Sequence, residues 1–240
     1  MNKTILITGA SGGIGEGLAR EFAGAGARVL LGARRLDRIG QIASDIRVAG
    51  GVAEARTLDV TERDGMKAFV QAALDLWGGV DVMVNNAGIM PLSPMAALKE
   101  DEWDRMVDVN IKGVLWGIGA VLPAMKAQGH GHIVNIASIG ALSVVPTAAV
   151  YCATKFAVRA ISDGLRQESP DIRVTCVNPG VVESDLASTI THEETMAVMG
   201  QYRAVALKPA DIASALRHVI EAPAHVDTTE ITIRPTASAN

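Results

Sequence analysis

Short runs of branched apolar residues alternate with longer segments in which apolar residues recur every three or four positions. The apolar runs lie at 3–8, 28–31, 52–58, 80–84, 132–136, 172–177 and 230–233. Such runs predict buried strands, and the periodic segments between them predict amphipathic helices. Strict alternation favours parallel strands joined by right-handed crossovers. We therefore expect an α/β fold with a doubly wound parallel sheet of about seven strands and helices on both faces, in a single domain over residues 1–240.

The residues that follow these runs are candidates for a ligand site. Gly9 follows the first run, Asp59 the third, Asn86 the fourth, Ser138 the fifth and Pro179 the sixth. Ligands bind doubly wound sheets in the crevice outside the carboxyl ends of the strands. We expect these positions to meet at that edge of the sheet.

The glycine-rich turn after the first run predicts a phosphate-binding loop. A helix is expected directly after it, at 14–22, and backbone amides at a helix N-terminus attract a pyrophosphate if no side chain intervenes. The spacing Gly-x-x-x-Gly-x-Gly departs from the more widespread Gly-x-Gly-x-x-Gly, and ordinary turn glycines are the alternative interpretation. The loop residues are Gly9, Ser11, Gly12, Gly13, Ile14 and Gly15.

Tyr151 and Lys155 form the main candidate for acid–base chemistry. On a helix they lie one turn apart on the same face, so an ammonium can sit beside a phenol. A free tyrosine has a pKa of about 10, and a nearby positive charge favours its ionised form. The alternative is a half-buried aromatic residue next to a solvated lysine.

Taken together, the motifs resemble those of the short-chain dehydrogenase/reductase family, in order and in approximate distance, over nearly the whole chain. The resemblance implies a Rossmann fold and an oxidoreductase that interconverts a ketone or aldehyde and an alcohol by hydride transfer. The motifs are Thr8-Gly9-Ala10-x-x-Gly13-Ile14-Gly15, Asn85-Asn86-Ala87-Gly88, Asn110, Ser138, Tyr151-x-x-x-Lys155 and Pro179-Gly180.

The resemblance also implies four catalytic roles. Tyr151 is the proton donor or acceptor, and Ser138 hydrogen-bonds the substrate oxygen. Lys155 binds the nicotinamide ribose and lowers the pKa of Tyr151. Asn110, in a helical segment at 101–115, holds a water that links Lys155 to solvent, although an isolated helical asparagine often only bends or caps a helix.

Further residues are expected to line the coenzyme. Asp59 and Val60 resemble the pair that borders the adenine, and the backbone of 86–88 lines the cofactor, whereas Asn85 is expected either to join this lining or only to tie strands together. The segment 179–184 is expected to close over the nicotinamide. The residues concerned are Asn86, Ala87, Gly88, Pro179, Gly180, Val182 and Ser184.

Arg34 and Arg35 at the end of the second strand predict the preferred coenzyme. An acidic residue there would bind the adenosine ribose and repel an added phosphate, whereas two guanidiniums favour the 2′-phosphate. NADP(H) is therefore expected over NAD(H). Asp37 lies nearby, and the alternative is that both arginines are the solvated start of a helix.

A substrate lid is expected at about 185–205. Leu186, together with Met90 and Val145, predicts a largely apolar pocket, and flexible methionines would suit varied ketones and aldehydes. Ordinary core and loop positions are the alternative for the methionines.

Composition and charge exclude several classes of partner. A formal net charge of −4 without a basic run gives no reason to expect nucleic acid. We expect solvated His130 and His132 and no metal, reduced cysteines, and a buried helix at 113–125 that is too short for a membrane span. With Met1 leading directly into the first strand, a cytoplasmic protein is expected. Association through the helices with Asn110 and Tyr151 would give a homodimer or homotetramer, as is common in this family.

Three functions are considered. The favoured one is an NADP-dependent carbonyl reductase or alcohol dehydrogenase, similar to 3-hydroxy acid and clavulanate-type dehydrogenases. A 3-oxoacyl-carrier-protein reductase would need a basic docking surface, and no clear one is visible. A non-catalytic nucleotide-binding regulatory protein would be expected to lose Ser138, Tyr151 or Lys155, and all three are present.

Overall fold

A single seven-stranded sheet organises the computed structural model of the chain, which describes residues 1–238. All strand pairs are parallel, and the order is β3-β2-β1-β4-β5-β6-β7. The predicted doubly wound α/β fold is confirmed. The strands are β1 Thr4–Thr8, β2 Arg28–Ala33, β3 Val52–Thr57, β4 Val82–Asn85, β5 Gly131–Ile136, β6 Ile172–Pro179 and β7 Glu230–Ile233.

Helices cover both faces of the sheet. Helices α1, α2 and α8 pack in one core layer through Leu18, Ile39 and Leu216, and α3, α5 and α6 pack in the other. Along β1 the sides alternate, since Ile5 faces the first layer and Leu6 the second. The helices are α1 Gly13–Gly24, α2 Leu36–Val48, α3 Arg63–Trp77, α4 Glu100–Val107, α5 Gly113–Gln128, α6 Ala149–Glu168, α7 Glu193–Tyr202 and α8 Pro209–Glu221.

The strand order reverses direction between β1 and β4. From β1 the chain builds outwards to β2 and β3, and from β4 it builds in the opposite direction. The loops that leave β1 and β4 therefore diverge and leave a crevice between them. This crevice is where the motif residues meet.

The buried helix expected at 113–125 lies within α5, which buries one face against the sheet. Helix α5 buries Val114 and Val121 against the sheet layer, whereas Leu115 keeps 39% of its surface exposed. A π-turn, Asp108–Lys112, joins α4 to α5. The continuous run Glu100–Gln128 is long and apolar enough to cross a bilayer by length and composition. Within this fold it is one of the helices that cover the sheet.

The expectation that His132 is solvated is wrong. His132 lies on β5 with 2% of its surface exposed, and its Nε2 is 2.8 Å from Thr175 Oγ1. Because the Thr175 hydroxyl donates to the Thr228 carbonyl, the histidine must donate from Nε2. Its Nδ1 has no partner among the described residues. Burial lowers the pKa of His132 to about 3, and Arg173 and Lys3 contribute in the same direction.

Two buried side-chain amides and a serine hydroxyl fasten α6 to the sheet. Asn85 Nδ2 donates to Asn135 Oδ1 at 2.8 Å, and Asn135 Nδ2 donates to Ser162 Oγ on α6 at 2.9 Å. Gly117 makes room for these side chains, because a Cβ there would lie 2.0 Å from Asn85 Oδ1. The contacts of Asn85 thus agree with the alternative prediction that this residue only ties neighbouring strands together.

Candidate active site

A cleft of about 750 Å³ opens at the carboxyl ends of the central strands. That volume is within the range of small-molecule and cofactor sites. The glycine loop and the ends of β2 and β3 line one half of the cleft. Ser138, Tyr151, Lys155 and residues 179–189 line the other half. The sequence motifs therefore share a single concave surface.

The glycine loop has a shape that other residues would not fit. Gly9 has a φ of +66°, and a Cβ there would lie 2.8 Å from Ala87 Cα. Gly13 has a φ of +52°, and a Cβ there would lie 2.7 Å from Ser184 Cβ. Left-handed backbone and close approach both require glycine. Helix α1 begins at Gly13 with no side-chain cap, so its first backbone amides are available to an anion.

The side chains of Thr8 and Asn86 hold this loop in place through hydrogen bonds. The sequence alone did not predict these hydrogen bonds. Asn86 Nδ2 donates to the carbonyls of Thr8, at 2.9 Å, and Gly9, at 3.1 Å. The Thr8 hydroxyl accepts hydrogen bonds from the backbone amides of Asn86 and Ala87. Asn86 was expected to act through its backbone, but its side chain fixes the glycine loop to the end of β4.

The two arginines after β2 lie on the wall of the cleft. Arg35 Nη2 donates to Ser11 Oγ at 3.1 Å and to Asp185 Oδ2 at 3.4 Å. Arg34 lines the same wall. Asp37 is exposed in the first turn of α2. Two guanidiniums thus stand beside the glycine loop.

Asp59 is held as an ionised carboxylate. Burial raises the pKa of its carboxyl, but hydrogen bonds from Thr61 and the charge of Arg34 outweigh burial, so the pKa lies below its usual range. Asp59 Oδ1 accepts from the Thr61 amide at 3.0 Å and from its hydroxyl at 2.8 Å. An ionised carboxylate at this position is an acceptor for an amine such as that of adenine.

Tyr151 is buried beside Ser138. Only 8% of the tyrosine surface is exposed, and this burial raises its pKa to about 12, although the Ser138 hydroxyl acts in the opposite direction. Ser138 Oγ accepts from the Gly140 amide at 3.0 Å, which fixes the hydroxyl in place. The phenol is therefore protonated at neutral pH.

Lys155 is buried on the same face of α6. Its Nζ donates to the Ile136 carbonyl at 3.0 Å and lies 5.7 Å from the centre of the Tyr151 ring. Burial lowers the pKa of Lys155 to about 8. We expected Lys155 to lower the pKa of Tyr151, but in the structure the tyrosine pKa moves upward, because loss of solvation dominates at this distance.

Asn110 lies behind the cleft, in the π-turn, with both N–H groups of its amide bonded and with its Oδ1 accepting one of the two hydrogen bonds that it can accept. Its Oδ1 accepts from the Ile89 amide, and its Nδ2 donates to the Ile89 carbonyl and to Thr154 Oγ1. The Thr154 hydroxyl in turn donates to the Tyr151 carbonyl at 2.7 Å. Asn110 thus connects the strand β4 loop to the helix that carries Tyr151. A Cβ at Gly88 would lie 3.4 Å from Asn110 Oδ1 and 3.6 Å from Lys155 Nζ.

The segment 185–205 covers the Tyr151 end of the cleft. Its buried residues Ala187 and Ile190 pack in one apolar cluster with Tyr151. Two hydrogen bonds hold its ends, from the Met90 amide to Thr189 Oγ1 at 3.0 Å and from Arg203 to the Ser184 carbonyl at 2.7 Å. The segment contains α7 between two short 3₁₀ turns.

Comparison with known proteins assigns the family. The family model for short chain dehydrogenases matches residues 3–195. The chain belongs to the short-chain dehydrogenase/reductase family. An uncharacterized oxidoreductase of Staphylococcus saprophyticus is 43% identical to this chain over 242 residues, covering 99% of this chain and 98% of that protein. The chain is accordingly an oxidoreductase.

Two solved structures resemble this chain closely in fold. An alcohol dehydrogenase from the archaeon Thermococcus sibiricus, complexed with 5-hydroxy-NADP, superposes with a TM-score of 0.90 at 31% identity, covering 100% of this chain and 99% of that one. A short chain dehydrogenase/reductase from Burkholderia phymatum, in complex with NAD, has a TM-score of 0.90 at 23% identity, covering 96% and 88%. The second comparison bears on the fold alone.

The cleft offers space and charge that suit a nucleotide coenzyme. Glycine leaves space at the start of α1, cations stand beside the loop, and an ionised carboxylate borders the far wall. Among residues 1–238, no group of three or more histidine, cysteine or acidic side chains is placed to hold a metal ion. The residues present thus fit an organic coenzyme.

Most of the predicted site residues line this cleft, and a few do not. Met90 and Val145 lie outside its lining, with Val145 45% exposed, and Gly15 and Asn110 support it from behind. Sequence reasoning missed Thr61, Arg105 and Asp108, which belong to no motif, whereas Thr189 lies in the expected lid. The predicted residues in the lining are Gly9, Ser11, Gly12, Gly13, Ile14, Arg34, Arg35, Asp59, Val60, Asn86, Ala87, Gly88, Ser138, Tyr151, Lys155, Pro179, Gly180, Val182, Ser184 and Leu186.

Proposed function

We propose that this dehydrogenase interconverts a ketone or aldehyde and an alcohol with NADP(H), using Tyr151 as the proton donor in the reductive direction. The observation that carries the proposal is a pair of hydroxyls, on the half-buried Ser138 and the buried Tyr151, on the wall of a cleft that also contains the glycine loop. A carbonyl oxygen between the two hydroxyls would accept both hydrogen bonds as negative charge develops on it. When bound, the reduced nicotinamide would supply the hydride.

The protonation states support this assignment. A pKa of about 12 keeps the Tyr151 phenol protonated, ready to deliver its proton to a forming alkoxide. A pKa of about 8 leaves most of Lys155 charged at neutral pH, so its ammonium opposes the charge that Tyr151 acquires when the proton leaves. Lys155 would bind the nicotinamide ribose as well. Asn110, through the Ile89 backbone and Thr154, holds the tyrosine-bearing helix and would order a water towards Lys155.

The coenzyme preference rests on Arg34 and Arg35. Guanidiniums form paired, charge-assisted hydrogen bonds with phosphate, and both arginines line the wall where an adenosine 2′-phosphate would lie. Asp59 and Val60 would border the adenine, and Val182 and Ser184 would contact the carboxamide. The likeness to an alcohol dehydrogenase complexed with 5-hydroxy-NADP supports the same preference.

The substrate is proposed to be a small to medium ketone or aldehyde, with Leu186 as an apolar contact in the cleft. An acidic carrier protein is a poorer fit, because the elements at this end of the cleft start with acidic turns. Helix α4 begins with Glu100, Asp101 and Glu102, and α7 with Glu193 and Glu194. Like charges would oppose docking of an acidic partner. We further propose a cytoplasmic homodimer or homotetramer.

A spectrophotometric screen tests the function. The loss or gain of reduced-nicotinamide absorbance is followed with NADPH and NADH against ketones, aldehydes and secondary alcohols, with simple 3-oxoacyl thioesters included. We expect carbonyl-dependent oxidation of the coenzyme, with a kcat/KM for NADPH at least about tenfold above that for NADH. Binding of either coenzyme without turnover of any carbonyl or alcohol would refute the catalytic assignment and favour a regulatory role.

A further inference from the structure

The Arg35 guanidinium is shared between the glycine loop and the covering segment. A single nitrogen, Nη2, lies 3.1 Å from Ser11 Oγ, 3.4 Å from the Ser11 carbonyl and 3.4 Å from Asp185 Oδ2. Ser11 belongs to the loop that would hold the pyrophosphate, and Asp185 is the first residue of the 185–205 segment. A carboxylate from the substrate side of the cleft therefore reaches the cation on the coenzyme side.

We propose that Asp185 is a specificity-determining residue for the coenzyme. Its carboxylate competes with an adenosine 2′-phosphate for the Arg35 guanidinium, and so reduces the preference for NADP(H) over NAD(H) that Arg34 and Arg35 create. The inference rests on the proposed coenzyme site and names a residue that limits its selectivity.

Geometry and charge support the competition. Gly12 lies beside both groups, since a Cβ there would be only 3.7 Å from Asp185 Oδ2 and 3.9 Å from Arg35 Nη2. An anion that binds Arg35 beside this loop would therefore come close to the Asp185 carboxylate. Two anions at one guanidinium repel each other, whereas the 2′-hydroxyl of NADH carries no charge and leaves the Arg35–Asp185 contact undisturbed.

The contact is weak enough to be exchanged. The side chains of Arg35 and Asp185 are 58% and 76% exposed, and exposed ion pairs of this kind contribute little to stability. The covering segment has other attachments, including the bonds from Arg203 to the Ser184 carbonyl and from the Met90 amide to Thr189. Neutralising Asp185 should thus leave the fold and the position of the segment intact.

The test is a set of coenzyme dissociation constants. NADPH and NADH are titrated, with the fluorescence of the reduced nicotinamide as the signal, into the wild type, Asp185→Asn, Arg35→Ala and the double variant. Glu194→Gln is the matched control, since it removes one exposed carboxylate from the same segment. Asp185→Asn should strengthen NADPH binding by about threefold to fivefold and leave NADH within about twofold.

In the Arg35→Ala background, Asp185→Asn should no longer strengthen NADPH binding. In the wild-type background, the gain from Asp185→Asn should be smaller at high salt. An equal gain for both coenzymes, no gain for NADPH, or the same gain in Glu194→Gln would overturn the role of Asp185. Those failures leave the proposed function standing if Arg35→Ala still weakens NADPH selectively. If Arg35→Ala weakens neither coenzyme, both the phosphate contact and the competition are refuted.

Discussion

The Lys155 ammonium donates to the Ile136 carbonyl at 3.0 Å and lies 5.7 Å from the centre of the Tyr151 ring. Both side chains are almost fully buried, and burial favours the neutral form of each. It therefore raises the pKa of the phenol and lowers the pKa of the ammonium. At neutral pH the tyrosine still holds its proton and most of the lysine its charge. This is the state required to protonate an alkoxide.

Replacing Tyr151 with Phe should remove the proton donor while preserving the cleft. We expect kcat to fall by about a hundredfold to ten-thousandfold, with the NADPH dissociation constant changed by less than about threefold. Steady-state kinetics and a fluorescence titration measure the two effects. Turnover that persists at the wild-type level would exclude Tyr151 as the donor.

Replacing Lys155 with Met should stabilise the fold and abolish activity. A pKa lowered from 10.5 to about 8 corresponds to a cost of up to about 3 kcal/mol in the folded state at neutral pH. Since the folded chain releases this proton above pH 8 and the unfolded chain only near 10.5, the wild type regains stability across that interval.

Denaturant unfolding of Lys155→Met and the wild type from pH 7 to pH 11 measures this difference. The two stabilities should converge at the alkaline end. Lys67→Met, at a site whose side chain is 63% exposed, is the control and should show no such convergence. A constant difference at all pH values would mean that packing, rather than charge burial, separates the two proteins.

Replacing His132 with Gln should protect the protein against acid. The folded state resists protonation of this histidine until about pH 3, whereas the unfolded state takes up the proton near 6.5. Stability attributable to His132 is therefore complete above 6.5 and declines as the pH falls towards 3, by up to about 5 kcal/mol. Unfolding free energies from pH 7 to pH 4 should fall less steeply in the variant.

The matched control for this effect is His130→Gln, since the His130 side chain is 63% exposed. We expect its pH dependence to follow that of the wild type. If both variants retain the full acid destabilisation, carboxylates rather than His132 account for it.

Replacing Arg34 and Arg35 together with Ala should weaken NADPH binding by at least about tenfold and NADH binding by less than about twofold. The reason is that both guanidiniums line the wall beside the glycine loop, where the 2′-phosphate is proposed to lie. Arg38→Ala, which removes a nearby cation paired with Glu16, is the control. Equal losses for NADPH and NADH would exclude phosphate recognition.

Association of the chain is expected through the outer faces of α5 and α6. Leu115 on α5 and Phe156 on α6 are 39% and 38% exposed, so both helices present a large apolar side chain on their outer faces. Light scattering should report a dimer or tetramer for the wild type and a smaller species for the double variant Leu115→Glu/Phe156→Glu. Val48→Glu, at an 87% exposed site on α2, should not change the mass. A monomeric wild type would contradict this prediction.

Strands β1, β2, β4, β5 and β6 were predictable because they are buried along most of their length and therefore read as largely apolar runs, whereas the edge strands β3 and β7 are partly exposed. Their ends differ from prediction by up to two residues, as at β2 and β6, since those ends depend on hydrogen bonds to neighbouring strands. The glycine loop and the Tyr151–Lys155 pair were predictable for a different reason. Each is a local motif whose geometry follows from spacing along the chain.

Other features depend on distant parts of the chain. The contact between Arg35 and Asp185 joins residues 150 positions apart, and the hydrogen bonds of the Asn86 side chain span 77 or 78. His132 carries a polar side chain in an apolar strand, and only its partner on β6 explains its burial. Likewise, spacing along the helix places an ammonium near Tyr151, but the depth of burial decides whether the pKa of Tyr151 is raised or lowered.

The π-turn at Asp108–Lys112 contains one residue more than a regular helical turn would need. Deleting one residue there would let α4 and α5 merge into an uninterrupted helix, which favours folding. The same deletion would remove the wide turn that carries Asn110 and so take its amide away from Ile89 and Thr154. The loss of one residue at this point can thus leave the fold intact and still abolish activity.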